Sequence, residues 1–410
     1  MNNFQYYNPV RIVFGEGEIA KLSELVPLEA RVLITYGGGS AKRTGTLDEV
    51  KAALASNGNR QVFEFGGIEA NPEFTTLLKA ADSVNEHDID FLLAVGGGSV
   101  IDGTKFIALV ASMTEDDGKT VSREQAWEAL TSGCRKLDKA IDLGAVLTIP
   151  ATGSEMNSGG VINYSERKAK LPFGNPLVFP KFSILDPAKT LTLPERQVMN
   201  GVADAFVHVM EQYLTYPVNA KVQDAFAESL LKILIEEGRA VKADPTNMET
   251  RKNLMWTATM ALNGLIGTGV PQDWTTHMIG HELTSLHAID HARTLTIVLP
   301  SVMRELKDSK KDKLLQYARN VWNLDITSVN NQPTSDESAD AIIEQAITET
   351  ENFFRELGLP VNLVDAELDE SAIEPIVQQL EAHKMTQLGE HRANDLEVSR
   401  RILQRAALVH

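Results

Sequence analysis

Cysteine is almost absent: Cys134 stands alone among 410 residues. No intramolecular disulfide can form, and cysteine zinc sites and CxxC redox chemistry are excluded with it. A single thiol suits a reducing compartment, so the expected location is the cytoplasm. Long apolar runs are missing as well. The best candidate, FLLAVGGGSVIDGTKFIALVA, is broken by glycines and charges, and no bilayer span is expected. The start, MNNFQYYNPVRIVF, lacks the basic-then-apolar plan of a signal peptide. Positive charge is short too: 39 Lys and Arg against 56 Asp and Glu leave a formal charge of −17. Such a surface repels phosphate backbones and anionic lipid, so neither nucleic acid nor membrane is an expected partner. A local basic pocket for one small anion remains compatible with it.

What is present reads as a globular protein, with 43% hydrophobic and 23% charged residues. The length favours two domains. From about residue 30 to 185, short apolar runs alternate with helical patterns: ARVLITY, QVFEFGG, DFLLAVGGGS, LGAVLTIPATGS and KFSILDP read as strands. LDEVKAALAS, FTTLLKAADSVNEH and VIDGTKFIALVAS read as helices. Continuous apolar strands imply a parallel sheet covered on both faces, hence a doubly wound α/β domain. Beyond Leu185–Pro187 the pattern is helical almost throughout, with QVMNGVADAFVHVMEQYL, VQDAFAESLLKILIEEGRAV, RKNLMWTATMALNGLIG, DAIIEQAITETENFFRELG and LEVSRRILQRAAL. The acidic run Ser335–Asp340 reads as a solvated helix start. The expected organisation is an α/β dinucleotide-binding domain over 1–187 and an all-α metal- and substrate-binding domain over 188–410, with ligands in the cleft between them.

Two GGGS segments carry the cofactor argument. Gly37-Gly38-Gly39-Ser40 and Gly96-Gly97-Gly98-Ser99 each follow a strand and open a helix. Glycine lets backbone approach a ligand, and a helix N-terminus offers N–H groups to an anion. One such loop is also what an ordinary βα turn looks like; two at successive strand ends favour a phosphate-rich nucleotide. GxGxxG and GxxxxGK[ST] are both absent. No carboxylate follows the first loop where an adenosine ribose is usually held; Ser40, Lys42 and Arg43 follow instead, which favours NADP over NAD, while Lys42 and Arg43 taken singly also read as exposed helix charges.

Histidine is the other concentrated resource. Four of nine fall within His277–His291: His277, His281, His287 and His291. His277 and His281 share a helix face at i, i+4, as do Asp204 and His208 upstream. The stretch after His281 lacks the second histidine of HExxH. Each pair alone also reads as hydrogen-bonded structure. Together, a carboxylate and imidazoles from two helices suit Zn²⁺ or Fe²⁺. His87, His287, His383, His391 and His410 read as structural or surface residues.

These segments, with GGIEANP, TIPATGSEMNSG and GVPQDWTTHMIGHELTSLHAIDHA, resemble the iron-activated (group III, metal-dependent) alcohol dehydrogenases along essentially the whole chain. The similarity is greatest to the NADP-dependent branch of butanol dehydrogenases and broad aldehyde reductases. The resemblance implies a divalent metal, zinc or iron, on Asp204, His208, His277 and His291, with His281 as a catalytic residue that positions substrate or relays a proton. It implies Gly37, Gly38, Gly39 and Ser40 at the 2′-phosphate end of NADP(H), and Gly97, Gly98 and Ser99 at the pyrophosphate with Asp102 bordering. Thr148, Thr152, Asn157 and Lys170 would approach the nicotinamide. It further implies a small aldehyde or alcohol substrate and a homodimer. Glycerol dehydrogenases and dehydroquinate synthases share the architecture. The lyase needs a dense set of Lys and Arg near the metal helices, yet none occurs from Trp256 to His291. A non-catalytic nucleotide or metal sensor is the reading from another class.

Overall fold

Eight strands were located in a computed structural model that describes residues 1–113, 122–325 and 336–408. They are β1 Arg11–Phe14, β2 Arg31–Tyr36, β3 Gln61–Phe65, β4 Phe91–Gly96, β5 Asp142–Leu147, β6 Gly159–Tyr164, β7 Ala169–Gly174 and β8 Phe182–Leu185. Six form one sheet in the order β1-β8-β5-β4-β2-β3. Every pairing in it is parallel. β6 and β7 form a separate antiparallel hairpin.

The central strand shows why these runs need a covered sheet. All six residues of β4 are buried. Leu92 and Ala94 join the core formed with helices α2 (Phe74–Glu86) and α3 (Gly98–Val110). Phe91, Leu93 and Val95 join the opposite core, under helix α1 (Thr46–Ala55). A one-residue register slip would exchange the two sets, so burial on both faces fixes the pairing. Chain order reverses between β2 and β4: β3 lies outside β2, and the chain then crosses to β4 on its other side. Tyr36 of β2 pairs with Val95 of β4, so both GGGS segments leave adjacent strands at this reversal.

The contact pattern divides the described chain into two compact units. The sheet unit comprises Tyr7–Pro194 with Thr246–Thr259, and the helical unit comprises Met1–Tyr6, Glu195–Pro245 and Met260–His410. Helices α5 (Glu195–Tyr213), α6 (Lys221–Ala243), α8 (Thr275–His287) and α9 (His291–Glu305) belong to the helical unit. Preceding them, α4 covers Arg123–Thr131, while α7 covers Met248–Ala261. Helix α5 is buried from Val198 to Tyr213, so its polar residues need partners inside the unit. Ile279 and Leu283 of α8 pack with Ile297, Val298 and Val302 of α9 in one apolar cluster.

Three departures from the sequence reading have local causes. β1 and the β6–β7 hairpin were not expected; β1 is a four-residue edge strand, half exposed, with no readable alternation. The first GGGS segment opens only a four-residue helical turn, Ser40–Arg43, because Gly39 takes φ 99° and the chain turns again at Gly45. Helix α7 ends at Ala261 rather than running to Gly267, and Gly264 and Gly269 beyond it have positive φ. His410 and Ser335 lie outside the described residues.

Candidate functional site

In the helical unit, Asp204 and His208 stand on buried α5, His277 and His281 on α8, and His291 opens α9. Ligand-capable atoms of Asp204, His277 and His291 all lie within 4.8 Å of one another. Asp204 Oδ1 is 3.8 Å from His291 Nε2 and 3.8 Å from His208 Nδ1. His208 stacks on His277 with ring centroids 4.6 Å apart, and His281 lies 5.0 Å from the His291 ring. His287 is half-buried and burial lowers its pKa.

This donor set fits a divalent cation. Asp204 Oδ1 is buried and accepts no hydrogen bond among the described residues, an expensive state for a carboxylate without a cation. Ligands held at about 2.1 Å in a tetrahedron stand about 3.4 Å apart, so separations of 3.8 Å close by small side-chain movements. The close group holds three of the four expected ligands, with His208 one stacked ring away.

Two features of the site escaped the sequence reading. Glu211, one turn beyond His208, meets His277 Nδ1 with Oε2 at 2.5 Å. Burial, then the neighbouring Asp273, raises its pKa, while the Thr276 and His277 N–H groups that bond its oxygens favour the ionised form. The spacing Asp204, His208, Glu211 continues a single helix face and was a readable signal. Trp274, just before α8, has φ 66°, uncommon for a bulky residue, and its indole makes T-shaped contacts with His277 and His208 at 5.1 and 6.2 Å between centroids.

The sheet unit holds the second cluster. Ligands of open α/β sheets gather outside the carboxyl ends of strands where strand order reverses, and both glycine segments are there. Gly38 and Ser40 are exposed, as are Lys42 and Arg43. Gly97 is half-buried at the entrance of α3, a helix of full length whose first N–H groups face that end. Gly98 is required sterically: a Cβ there would meet Thr152 Oγ1 at 2.2 Å. Ser99 Oγ donates to the Ala70 carbonyl.

Asp102 accepts from Ser154 Oγ at 2.5 Å and from the Val161 N–H at 2.9 Å, so both oxygens are engaged by protein. Burial raises its pKa. Lys105, which the sequence reading passed over, is fully buried and donates to Ser154 Oγ, Asn157 Oδ1 and the Gly159 carbonyl at 2.8–2.9 Å. Burial lowers it to about 8. Glu155 completes the cluster with Oε1 on Thr259 Oγ1, and burial raises its pKa. Asn157 is thereby tied to Lys105 and to the Gly159 N–H. Lys170 is buried and donates to Asn71, while Thr148 and Thr152 are half-buried at the end of β5.

No helix among the described residues is long and apolar enough to cross a membrane. The chain is 52% identical to the NADPH-dependent aldehyde reductase YqhD of Escherichia coli over 99% of this chain and 100% of that one. It is 35% identical to the NADH-dependent butanol dehydrogenase A of Clostridium acetobutylicum, covering 92% and 93%. A crystal structure of E. coli YqhD superposes with a TM-score of 0.92 over 99% of both chains. An NADH-dependent butanol dehydrogenase A from Thermotoga maritima, 31% identical, superposes at 0.89 over 100% of this chain and 99% of that one. Residues 9–187 match the iron-containing alcohol dehydrogenase model and residues 197–406 its C-terminal counterpart. The chain therefore belongs to the iron-containing alcohol dehydrogenase family.

Proposed function

We propose that this protein reduces small aldehydes with NADPH at a divalent cation held by Asp204, His208, His277 and His291. The observation that carries the reading is the convergence of Asp204, His277 and His291 around an unsatisfied buried carboxylate oxygen. When bound there, the cation supplies Lewis-acid polarisation to a carbonyl group. Asp204 contributes the only carboxylate of the set and offsets part of the added charge. His281, buried beside His291, is the group that delivers or accepts the substrate proton.

Residues 1–187 take the dinucleotide and 188–410 the metal and substrate in this reading. Backbone N–H groups at Gly97, Gly98 and Ser99 bind the pyrophosphate, and the packing of Gly98 on Thr152 keeps that backbone open to it. Thr148, Thr152, Asn157 and Lys170 border the nicotinamide. Asp102 supports the pocket wall through Ser154 and Val161. The relatives divide by name between NADPH and NADH. Gly37–Ser40 presents no carboxylate to a ribose and leaves Lys42 and Arg43 exposed beside it, which favours the 2′-phosphate. A homodimer in the cytoplasm belongs to the same proposal, and light scattering checks the first half of it.

The test is NADPH oxidation with butanal by chelator-stripped protein, before and after Zn²⁺ or Fe²⁺, with NADH in parallel. Metal-restored activity with NADPH preferred is expected. Metal uptake without reduction of any aldehyde would overturn the reductase reading.

A further inference from the structure

We propose that Glu211 is the positioning residue that sets the tautomer and aim of His277, and through them the metal affinity of the site; this rests on the reading that Asp204, His208, His277 and His291 hold the cation. The argument begins with a helix end. Helix α8 starts at Thr275, and the first N–H groups of a helix have no partner within it. Glu211 reaches over from α5 and accepts two of them, Thr276 N–H on Oε1 at 2.6 Å and His277 N–H on Oε2 at 3.1 Å. The same Oε2 meets the His277 ring at Nδ1, 2.5 Å away. One carboxylate thus holds both the main chain and the ring of a single residue, which leaves the imidazole little freedom about either side-chain torsion.

The grip is itself braced. The Glu211 carbonyl accepts the Asp273 N–H at 2.9 Å. Asp273 pairs with buried Lys310 at 2.7 Å, and Lys310 also binds Glu390 at 2.9 Å and the Leu214 carbonyl at 2.7 Å. Glu211 and Lys310 are both at most 4% exposed, so water does not compete for these bonds.

A ring nitrogen that ligates a cation carries no proton. With Nδ1 on Glu211, Nε2 is the nitrogen left for the group formed with Asp204 and His291, and the ring's one proton sits on Nδ1 and is donated to the carboxylate. A carboxylate on the far nitrogen raises the basicity of the ligating one, and losing such a partner typically weakens metal binding about 10–100-fold. Gln cannot replace Glu211, because its NH₂ group would face a backbone or ring N–H where the second oxygen now accepts.

The experiment measures Zn²⁺ affinity of the full-length protein, wild type against Glu211→Gln, by competition with a chromogenic chelator. The zinc-free melting temperature is recorded for both. A loss of about 10–100-fold in affinity is expected. Equal affinities, with only the melting temperature lowered, would leave Glu211 a helix cap and overturn the proposal. Wild-type protein that takes up neither Zn²⁺ nor Fe²⁺ removes the metal reading and this inference together; tight wild-type binding with an unchanged variant removes this inference alone. Should the variant fold poorly, long-range ¹H–¹⁵N spectra of zinc-loaded, histidine-labelled wild type decide, with His277 identified by its absence in His277→Gln. A proton on Nδ1 supports the proposal, and a proton on Nε2 overturns it.

Discussion

The rings of His208 and His277 stack with centroids 4.6 Å apart and planes 28° from parallel, although they stand on different helices. That contact orders both rings before any ion arrives, so less side-chain freedom is lost on binding. A cation held by Asp204, His208, His277 and His291 as proposed would bind the folded protein in preference to the unfolded chain, and so would stabilise it. At a thousandfold excess over Kd the gain is about 4 kcal/mol, read as a rise in melting temperature when Zn²⁺ is added to chelator-stripped protein. Asp204→Asn removes the charge and should abolish the rise while cutting aldehyde reduction by about 100-fold or more. An undiminished zinc-dependent rise in that variant would refute the ligand set.

Gly38 and Gly98 separate ligand approach from internal packing. A Cβ at Gly38 meets nothing within 4 Å, so Gly38→Ala should change stability by no more than about 0.5 kcal/mol. If NADPH phosphate approaches that backbone, the same methyl group weakens cofactor binding by roughly tenfold, about 1.4 kcal/mol. Isothermal titration with NADPH measures it. Gly98→Ala collides with Thr152 and should lower stability and cofactor affinity together. Unchanged NADPH affinity in Gly38→Ala would move the 2′-phosphate away from the first glycine segment.

Lys105 lies between two buried carboxyl groups, Asp102 and Glu155, and ties them to the Gly159 carbonyl at the start of β6. Removing one partner from a buried charged cluster costs about 3–5 kcal/mol, because the remaining groups cannot reach water. Lys105→Met is expected to show that loss in urea unfolding, with Zn²⁺ affinity of the helical unit unchanged. A near-neutral effect would mean that Asp102 and Glu155 are satisfied without the ammonium group.

How much of this was legible follows from the distance over which each feature is determined. The strands β2, β4 and β5 are buried runs whose apolar residues announce them, and the i, i+4 pairs Asp204–His208 and His277–His281 depend only on helix spacing. β1 is held by its partner β8 rather than by its own pattern. The hairpin of β6 and β7 contains three glycines and a proline, which argue locally against strands, and its pairing supplies what the sequence does not. Lys105 sits mid-helix among apolar residues, but its burial depends on Ser154, Asn157 and Gly159, about fifty positions away. Glu211 differs: the i+7 position after Asp204 is visible in the sequence, and only its target, the first turn of α8, required the fold.

His383 gives the helical unit a pH dependence of defined sign. Its Nδ1 lies 2.7 Å from Glu282 Oε1, and that hydrogen bond to a carboxylate raises the imidazole above its ordinary range despite partial burial. A pKa raised on folding means that the folded state holds the proton more tightly than the unfolded chain. The stabilisation is complete below the unfolded value, about 6.5, and is lost as pH rises through the higher folded value. Since the ring is partly exposed, about 0.5–1 kcal/mol is the expected size. His383→Asn should therefore melt below wild type at pH 5.5, with the difference shrinking towards pH 9. Glu282 Oε2 accepts no hydrogen bond among the described residues, so removing the imidazole leaves the Glu282 carboxyl with neither oxygen bonded and keeps a residual deficit at high pH. A deficit that grows with pH would show that the neutral ring, rather than its charged form, is what Glu282 holds.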